Sequence, residues 1–348
     1  MNTPEMFLAR AEAQIDPSCS DIVRLAPSSA SEMNIFISKV QIAILIPCYN
    51  EALTIERVIG RFRQELPAAQ IFVYDNCSTD DTSVRAMAAG AFIRREPWPG
   101  KGNVVRRMFA EIEADVYIMV DGDSTYDPSV APEMVRLLIA DRLDMVVGTR
   151  RNVYSNAHRI GHGFGNSLFN GIYRRLFGPM FSDIFSGYRV FSRRFVKSFP
   201  AISSGFEIET ELSAHASQIR MPIAELQTEY GAREDGSVSK LRTFRDAFRI
   251  LWTMFLFFKE IQPTQFFGTI AVTLAFISIM LGYPLLEVYM NTGLVPRFPT
   301  AILATGLMLM AAIALVSGLI LDSVARGRLE NKRLHYLNLA QLRPREKH

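Results

Sequence analysis

Apolar and polar positions follow two rhythms over the first two thirds of the chain. Ile42–Pro47 (IAILIP) is a short continuous apolar run, the pattern of a strand buried on both faces. Leu53 to Leu66 then changes to helical spacing, with Ile55, Val58, Ile59, Phe62 and Leu66 on one face. Ile71–Asp75 is a second strand and Ala91–Arg94 a short third. Gly102 to Ile112 is a helix that turns Val104, Val105, Met108, Phe109 and Ile112 inward. Val116–Val120 and Met145–Gly148 are further strands. This alternation predicts an α/β domain with a mainly parallel sheet. Polar residues gather where the strands end: Asn50 and Glu51, Asp75, Asp121 and Asp123, Arg150. Open α/β sheets bind ligands beyond the carboxyl ends of their strands, so the chemistry is expected there.

The rhythm changes again near the C-terminus. Gln265–Leu286 and Phe298–Leu321 contain no charged residue, and each exceeds the roughly 20 apolar residues that cross a hydrocarbon core. The first is preceded by Arg242, Arg245, Arg249 and Lys259. The second is followed by Arg326, Arg328, Lys332, Arg333, Arg343, Arg345 and Lys347. Basic flanks stay in the cytoplasm, so the large domain and both termini are expected there, with the chain crossing the inner membrane twice. Thr243 to Phe258 places Phe244, Ala247, Phe248, Leu251, Phe255 and Phe258 on one face and mostly arginines on the other. It predicts a helix lying in the membrane interface. The expected organisation is a loosely ordered extension (1–38), the α/β domain (39–240), the interfacial helix (241–260), two transmembrane helices (261–322) and a basic cytoplasmic tail (323–348).

Composition agrees with one large domain carrying a membrane appendage. The 348 residues are 49% hydrophobic and 21% charged, with a net charge of +3, and the mean hydropathy is +0.12. Disorder, collagen and a disulfide scaffold are excluded. Cys19, Cys48 and Cys77 form no disulfide or zinc pattern and read as free thiols. The N-terminus does not read as a signal peptide, because Glu5, Arg10, Glu12 and Asp16 interrupt it.

Asp121-Gly122-Asp123 ends a buried strand. At such a turn two carboxylates can converge, and hard oxygen ligands with a phosphate suit Mg²⁺ or Mn²⁺. Gly100-Lys101-Gly102-Asn103 opens a helix, where free N–H groups and a lysine could cradle a phosphate. Taken singly, each motif is also ordinary turn chemistry.

In combination they reach a family. Pro47-Cys48-Tyr49-Asn50-Glu51, the run from Tyr74 to Thr82 (YDNCSTDDT), Gly100–Asn103 and Asp121–Asp123 occur in that order at those strand ends. This set resembles the family 2 glycosyltransferases of GT-A fold. Gly148–Arg151, Asp183–Arg189, Gly205–Glu209 and Tyr230 through Lys240 resemble the polyprenyl-phosphate and dolichyl-phosphate members.

The resemblance implies a nucleotide-sugar donor held by Pro47, Tyr49, Asn50, Glu51, Asp75, Lys101, Asp121 and Gly122. It makes Asp121 and Asp123 the metal site, with Asp123 the direct ligand, and Asp123 and Asp183 the catalytic residues. Asp183 would lie near the acceptor and orient the nucleophile. Thr125 stands where dolichyl enzymes often carry a glutamine, and Asn76 where the family often has a second aspartate. Inversion at the anomeric carbon is implied as well.

A polyprenyl phosphate acceptor is already an anion, so a general base matters less than cations that offset its charge. Arg150, Arg159, Arg233 and Lys240 are the candidates, the last two in a loop that includes Ser237, and the resemblance adds His158 and His162. Glu207 and Glu209 read as structural support. Membrane lipids are expected partners and nucleic acid is not; homo-oligomerisation stays open. Two other readings also stay open: transfer to a hydroxyl acceptor on a lipid or polysaccharide, and an inactive membrane scaffold recruiting other glycan-pathway proteins.

Overall fold

The computed structural model describes residues 40–151, 171, 180–205, 207–231, 252, 255–256 and 258–341. His158, Arg159, His162, Arg233, Ser237 and Lys240, the extension 1–38 and most of the expected interfacial helix lie outside the described residues. The chain divides into two compact units: the α/β domain, and a unit that contains the C-terminal apolar helices.

The first unit is built on seven strands: β1 (Ile42–Cys48), β2 (Gln70–Asp75), β3 (Phe92–Arg95), β4 (Val116–Met119), β5 (Met145–Arg151), β6 (Arg189–Ser192) and β7 (Ile223–Glu229). Their order is β3-β2-β1-β4-β6-β5-β7. β2 and β4 flank β1 in parallel, and β6 lies antiparallel between β4 and β5. Entering in reverse, β6 brings the loop before it to the same edge where β1, β2, β4 and β5 end. The register sets Cys48 beside Asp75 and Met119 beside Arg189. Pro47 is tolerated in this central strand because of its position. Val120 N–H donates to Leu45 O, so two residues on, the amide that proline lacks would face the side where β4 has already ended.

Among the described residues six α-helices cover the sheet: α1 (Ile55–Glu65), α2 (Thr82–Ala88), α3 (Lys101–Glu111), α4 (Ala131–Ala140), α5 (Arg193–Ser198) and α6 (Ile208–Gln218). α1 buries Ile55, Val58, Ile59 and Phe62, and α3 buries Val104, Val105, Met108 and Phe109. Each of these larger side chains contributes about 1.5–3 kcal/mol when fully buried. Phe109 meets Tyr117, Phe191 and Phe199 edge-on, which ties α3 to β4, β6 and the end of α5.

The second unit contains α7 (Pro263–Thr292, 30 residues) and α8 (Phe298–Asn338, 41 residues), both long and apolar enough to cross a membrane. At 1.5 Å per residue they extend about 45 and 60 Å. They meet along a seam of small residues at seven-residue spacing, Ala271 and Ser278 against Ala304, Ala311 and Gly318. Ser278 Oγ donates to Ala304 O across the seam at 2.7 Å. A Cβ on Gly318 would stand 2.9 Å from that of Phe267. Close backbone approach and a buried hydroxyl bond are how helices associate where water gives no driving force. Ile277, Met280, Leu303, Leu309 and Leu319 point outward and are exposed. α8 continues past residue 323, where the basic tail was expected to begin, to Asn338, because Arg326, Leu329 and Lys332 are good helix formers and nothing there breaks the hydrogen-bond ladder.

Candidate active site

Asn50, just after β1, takes a left-handed backbone (φ +52°), which asparagine tolerates better than most residues. Its N–H donates to Ser78 Oγ at 2.9 Å, and its side-chain oxygen accepts from Thr79 N–H at 2.8 Å. Glu51 is buried, and its N–H donates to Thr82 Oγ1 at 2.8 Å. The loops after β1 and β2 are therefore one bonded unit. Asp75 is buried and accepts from Ser78 N–H, while Tyr49 is exposed above the sheet edge. Asn76 acts as a fastener. Its amide donates to Glu96 O and Trp98 O and accepts from Gly100 N–H at 2.7 Å. A carboxylate there could accept but not donate.

The Asp121–Asp123 turn is tied down by Thr54, whose hydroxyl donates to Gly122 O at 2.6 Å. Asp123 is buried, and its Oδ1 accepts from both Thr125 N–H (3.2 Å) and Thr125 Oγ1 (2.6 Å). Thr125 thus orients the carboxylate next to it. Asp121 is more open, and its Oδ2 lies against Gly187, where a Cβ would come within 2.4 Å. Any side chain at position 187 would displace that carboxylate.

The phosphate cradle expected at Gly100–Asn103 is not open. The N-terminus of α3 is covered by the backbone of residues 203–204, with Asn103 N–H directed at both Gly100 O and Ser204 O. A Cβ on Gly102 would lie 2.1 Å from Ser203 O. Gly102→Ala is expected to cost about 1–3 kcal/mol through overpacking, read as a lowered unfolding midpoint. Lys101 turns inward. Its Nζ lies 2.5 Å from Asp121 Oδ1 and 2.6 Å from Glu209 Oε1. Burial alone would lower the lysine pKa, but the two carboxylates outweigh it and raise it, so the ammonium stays charged.

On the acceptor side, Arg150 near the end of β5 grips Asp183 as a fork. Nε donates to Oδ2 at 2.7 Å and Nη2 to Oδ1 at 2.8 Å. Oδ2 also accepts from Arg150 N–H at 3.4 Å, and Oδ1 from Phe185 N–H at 3.2 Å. About four lone-pair sites exist on a carboxylate, and all are used. Burial would raise the Asp183 pKa, but the Arg150 hydrogen bonds and charge outweigh it and hold it below the usual carboxylate value. In the structure Asp183, the residue expected near the acceptor, holds Arg150. The guanidinium also stands 5.5 Å from the Tyr230 ring centroid. Tyr126, packed on Tyr230, accepts from Gly187 N–H at 2.9 Å. A chain of contacts thus runs from Arg150 to Gly187 and Asp121.

Several contributors escaped the sequence reading. Arg189 is fully buried and donates to Ile184 O, Ser186 O and Ser213 Oγ, shaping the 183–187 loop from beneath. Tyr126, Thr54 and Thr82 act through single hydroxyls. Thr82, Arg189 and Glu209 each lay within a motif of the family resemblance, without a sign of these contacts; Tyr126 and Thr54 lay in none. Among the described residues no group of three or more His, Cys, Asp or Glu converges. The donor set fits Mg²⁺ or Mn²⁺ rather than an all-protein cage, since these ions bind through one or two carboxylates plus substrate phosphates.

The sheet order and the polar strand ends define the GT-A fold. Among solved structures, glucosyl-3-phosphoglycerate synthase from Mycobacterium tuberculosis, in complex with Mn²⁺, UDP-glucose and phosphoglyceric acid, shares it. The TM-score is 0.53 at 23% identity, over 66% of this chain and 83% of that one. The family model for glycosyl transferase family 2 matches residues 43–199. Glycosyltransferase AglJ of Haloferax volcanii is 34% identical over 235 residues, 66% of this chain and 76% of AglJ. Protein RfbJ of Shigella flexneri is 55% identical over 123 residues, 34% of this chain and 95% of RfbJ. The chain belongs to glycosyl transferase family 2 and is a glycosyltransferase.

Proposed function

We propose that this glycosyltransferase moves one sugar, with inversion, from a UDP- or GDP-sugar to polyprenyl phosphate at the cytoplasmic face of the inner membrane, where α7 and α8 anchor it. The observation that carries the acceptor class is the Arg150–Asp183 fork. A hydroxyl acceptor must lose a proton as it attacks, and Asp183, the carboxylate the family motif offers for that task, has no vacant site and a lowered pKa. A phosphate monoester is already ionised at pH 7. Its need is a cation, and among the described residues no acceptor takes the Nη1–Nη2 edge of Arg150, which suits bidentate contact with phosphate.

In the reaction a phosphate oxygen attacks the anomeric carbon, the bond from that carbon to the donor diphosphate breaks, and the nucleoside diphosphate leaves. Asp121 and Asp123 would hold Mg²⁺ or Mn²⁺, which offsets the leaving group's charge. Support for a divalent metal and a nucleoside-diphosphate sugar comes from the mycobacterial synthase, whose structure contains Mn²⁺ and UDP-glucose. The loops of Asn50, Glu51 and Asp75 are bonded together before any donor arrives, so its nucleoside meets a formed pocket.

The test is transfer of label from a panel of UDP- and GDP-sugars to undecaprenyl phosphate, beside undecaprenol, by the full-length protein in detergent. Metal-dependent label in the lipid phase with the phosphate alone is the expected result. Transfer to undecaprenol, or donor hydrolysis only, would overturn the acceptor assignment. Asp183→Asn should keep kcat within about tenfold while raising the acceptor KM. A general base would instead show a kcat loss on the order of 10²–10⁴.

A further inference from the structure

The three alternating carboxylates at the start of α6 do two different jobs. Glu207 and Glu211 wire the preceding loop: Glu207 Oε1 accepts from Gly205 N–H at 3.1 Å, and Glu211 accepts from Ile202 and Ser203 N–H at 2.9 and 2.7 Å. Glu209 lies between them in sequence and points elsewhere. Among the described residues its carboxylate has one partner, the Lys101 ammonium at 2.6 Å. That lysine is almost fully enclosed, and its other contact is Asp121 Oδ1. Two of its three N–H bonds are thus spent on carboxylates. The third meets no acceptor among the described residues, in a buried position beside the Asp121–Asp123 turn.

We propose that Glu209 is a positioning residue for the donor pocket. It holds the Lys101 ammonium against Asp121 Oδ1, so that Asp121 Oδ2 is the oxygen left to help hold a divalent ion, and the spare lysine N–H would be available to a donor oxygen. The inference rests on the donor-site reading above. Its physical basis is charge balance. With Glu209 present, the Lys101 charge is shared between two anions and the pocket keeps a net negative charge for a divalent cation. Without it, the whole lysine charge falls on Asp121, and the cation loses part of its attraction.

The experiment is Mn²⁺ binding to the full-length protein in detergent, with saturating UDP and separately GDP, following the signal of free Mn²⁺ by electron paramagnetic resonance. Wild type should bind and Asp123→Ala should not. Glu209→Gln, which keeps the shape, should raise the Mn²⁺ Kd on the order of tenfold, the usual effect of losing an outer-shell partner. Glu209→Asp should recover part of the loss. Lys101→Met with Glu209→Gln should be no worse than Lys101→Met alone, because the effect passes through the lysine. A wild-type Kd in Glu209→Gln with only a lowered unfolding midpoint would overturn the proposal, as would additive single effects. If wild type holds Mn²⁺ with neither nucleotide, while Asp123→Ala behaves identically, the donor-site reading fails and takes this inference with it.

Discussion

Asp123→Ala is expected to lose sugar transfer by three orders of magnitude or more while the domain still folds. A divalent ion stabilises departing diphosphate charge by several kcal/mol, and each 1.36 kcal/mol is a factor of ten in rate. Asp123 is the buried member of the pair, set by Thr125 and by the Thr54 bond to Gly122 O. Removing its side chain leaves Thr125 without its acceptor, which costs about 1–3 kcal/mol of stability. Asp123→Asn separates the two effects. It keeps an acceptor for Thr125 and removes the charge, so its unfolding midpoint should approach wild type while transfer collapses as in alanine. Transfer at saturating Mn²⁺, measured with thermal unfolding for both variants, checks this. Wild-type transfer in the asparagine variant would remove the turn from the chemistry.

Arg150→Ala should damage both stability and acceptor use. Taking away one partner of a buried ion pair leaves the other uncompensated, at about 3–5 kcal/mol. Arg150 and Asp183 side chains are 16% and 13% exposed, which places them near that regime. The pH dependence carries a sign. In wild type, Asp183 lies below its unfolded value of about 3.9. Its contribution is therefore full above that pH and is lost as pH falls through the folded pKa. In the variant, burial without a cation raises the Asp183 pKa, so acid relieves the penalty. The stability gap between the two proteins should be widest at neutral pH, begin to close as pH falls through the variant's raised Asp183 pKa, and close further below about pH 4 as wild type loses its own contribution. Denaturant unfolding across pH 3–7 measures it. In transfer assays the KM for undecaprenyl phosphate should rise about 10- to 100-fold, the worth of a charged hydrogen-bond pair, while Mn²⁺–UDP binding stays near wild type. Arg150→Lys should rescue little, because a point charge cannot hold Asp183 and a phosphate in one plane.

These two variants probe opposite ends of one sheet edge, and the edge was legible to different degrees. β1, β2, β4 and β5 are apolar runs whose expected ends fall within three residues of the observed ones. β6 escaped because its four residues begin with an arginine, which reads as polar although it is fully buried. β7 escaped because it is only partly covered and carries Glu225, Gln227 and Glu229. Missing β6 hid the reversal that brings Asp183 to the site. The family motifs placed Asp121, Asp123, Asp75 and Glu51 at strand ends, where the structure has them. They could not show that Lys101 faces two carboxylates rather than open solvent, or that Asp183 is occupied.

The α/β alternation, the edge where polar residues collect, the two apolar helices and the family could all be read from the order of residues. All of these follow from local periodicity and short contiguous motifs, which one stretch of chain expresses alone. Tertiary structure alone decided which charges meet. Arg150 and Asp183 are 33 positions apart, and Lys101 and Glu209 belong to different helices. An ion pair falls off with distance and strengthens as water is excluded, so its partner and its worth exist only once β6 is inserted and α6 is packed over the start of α3.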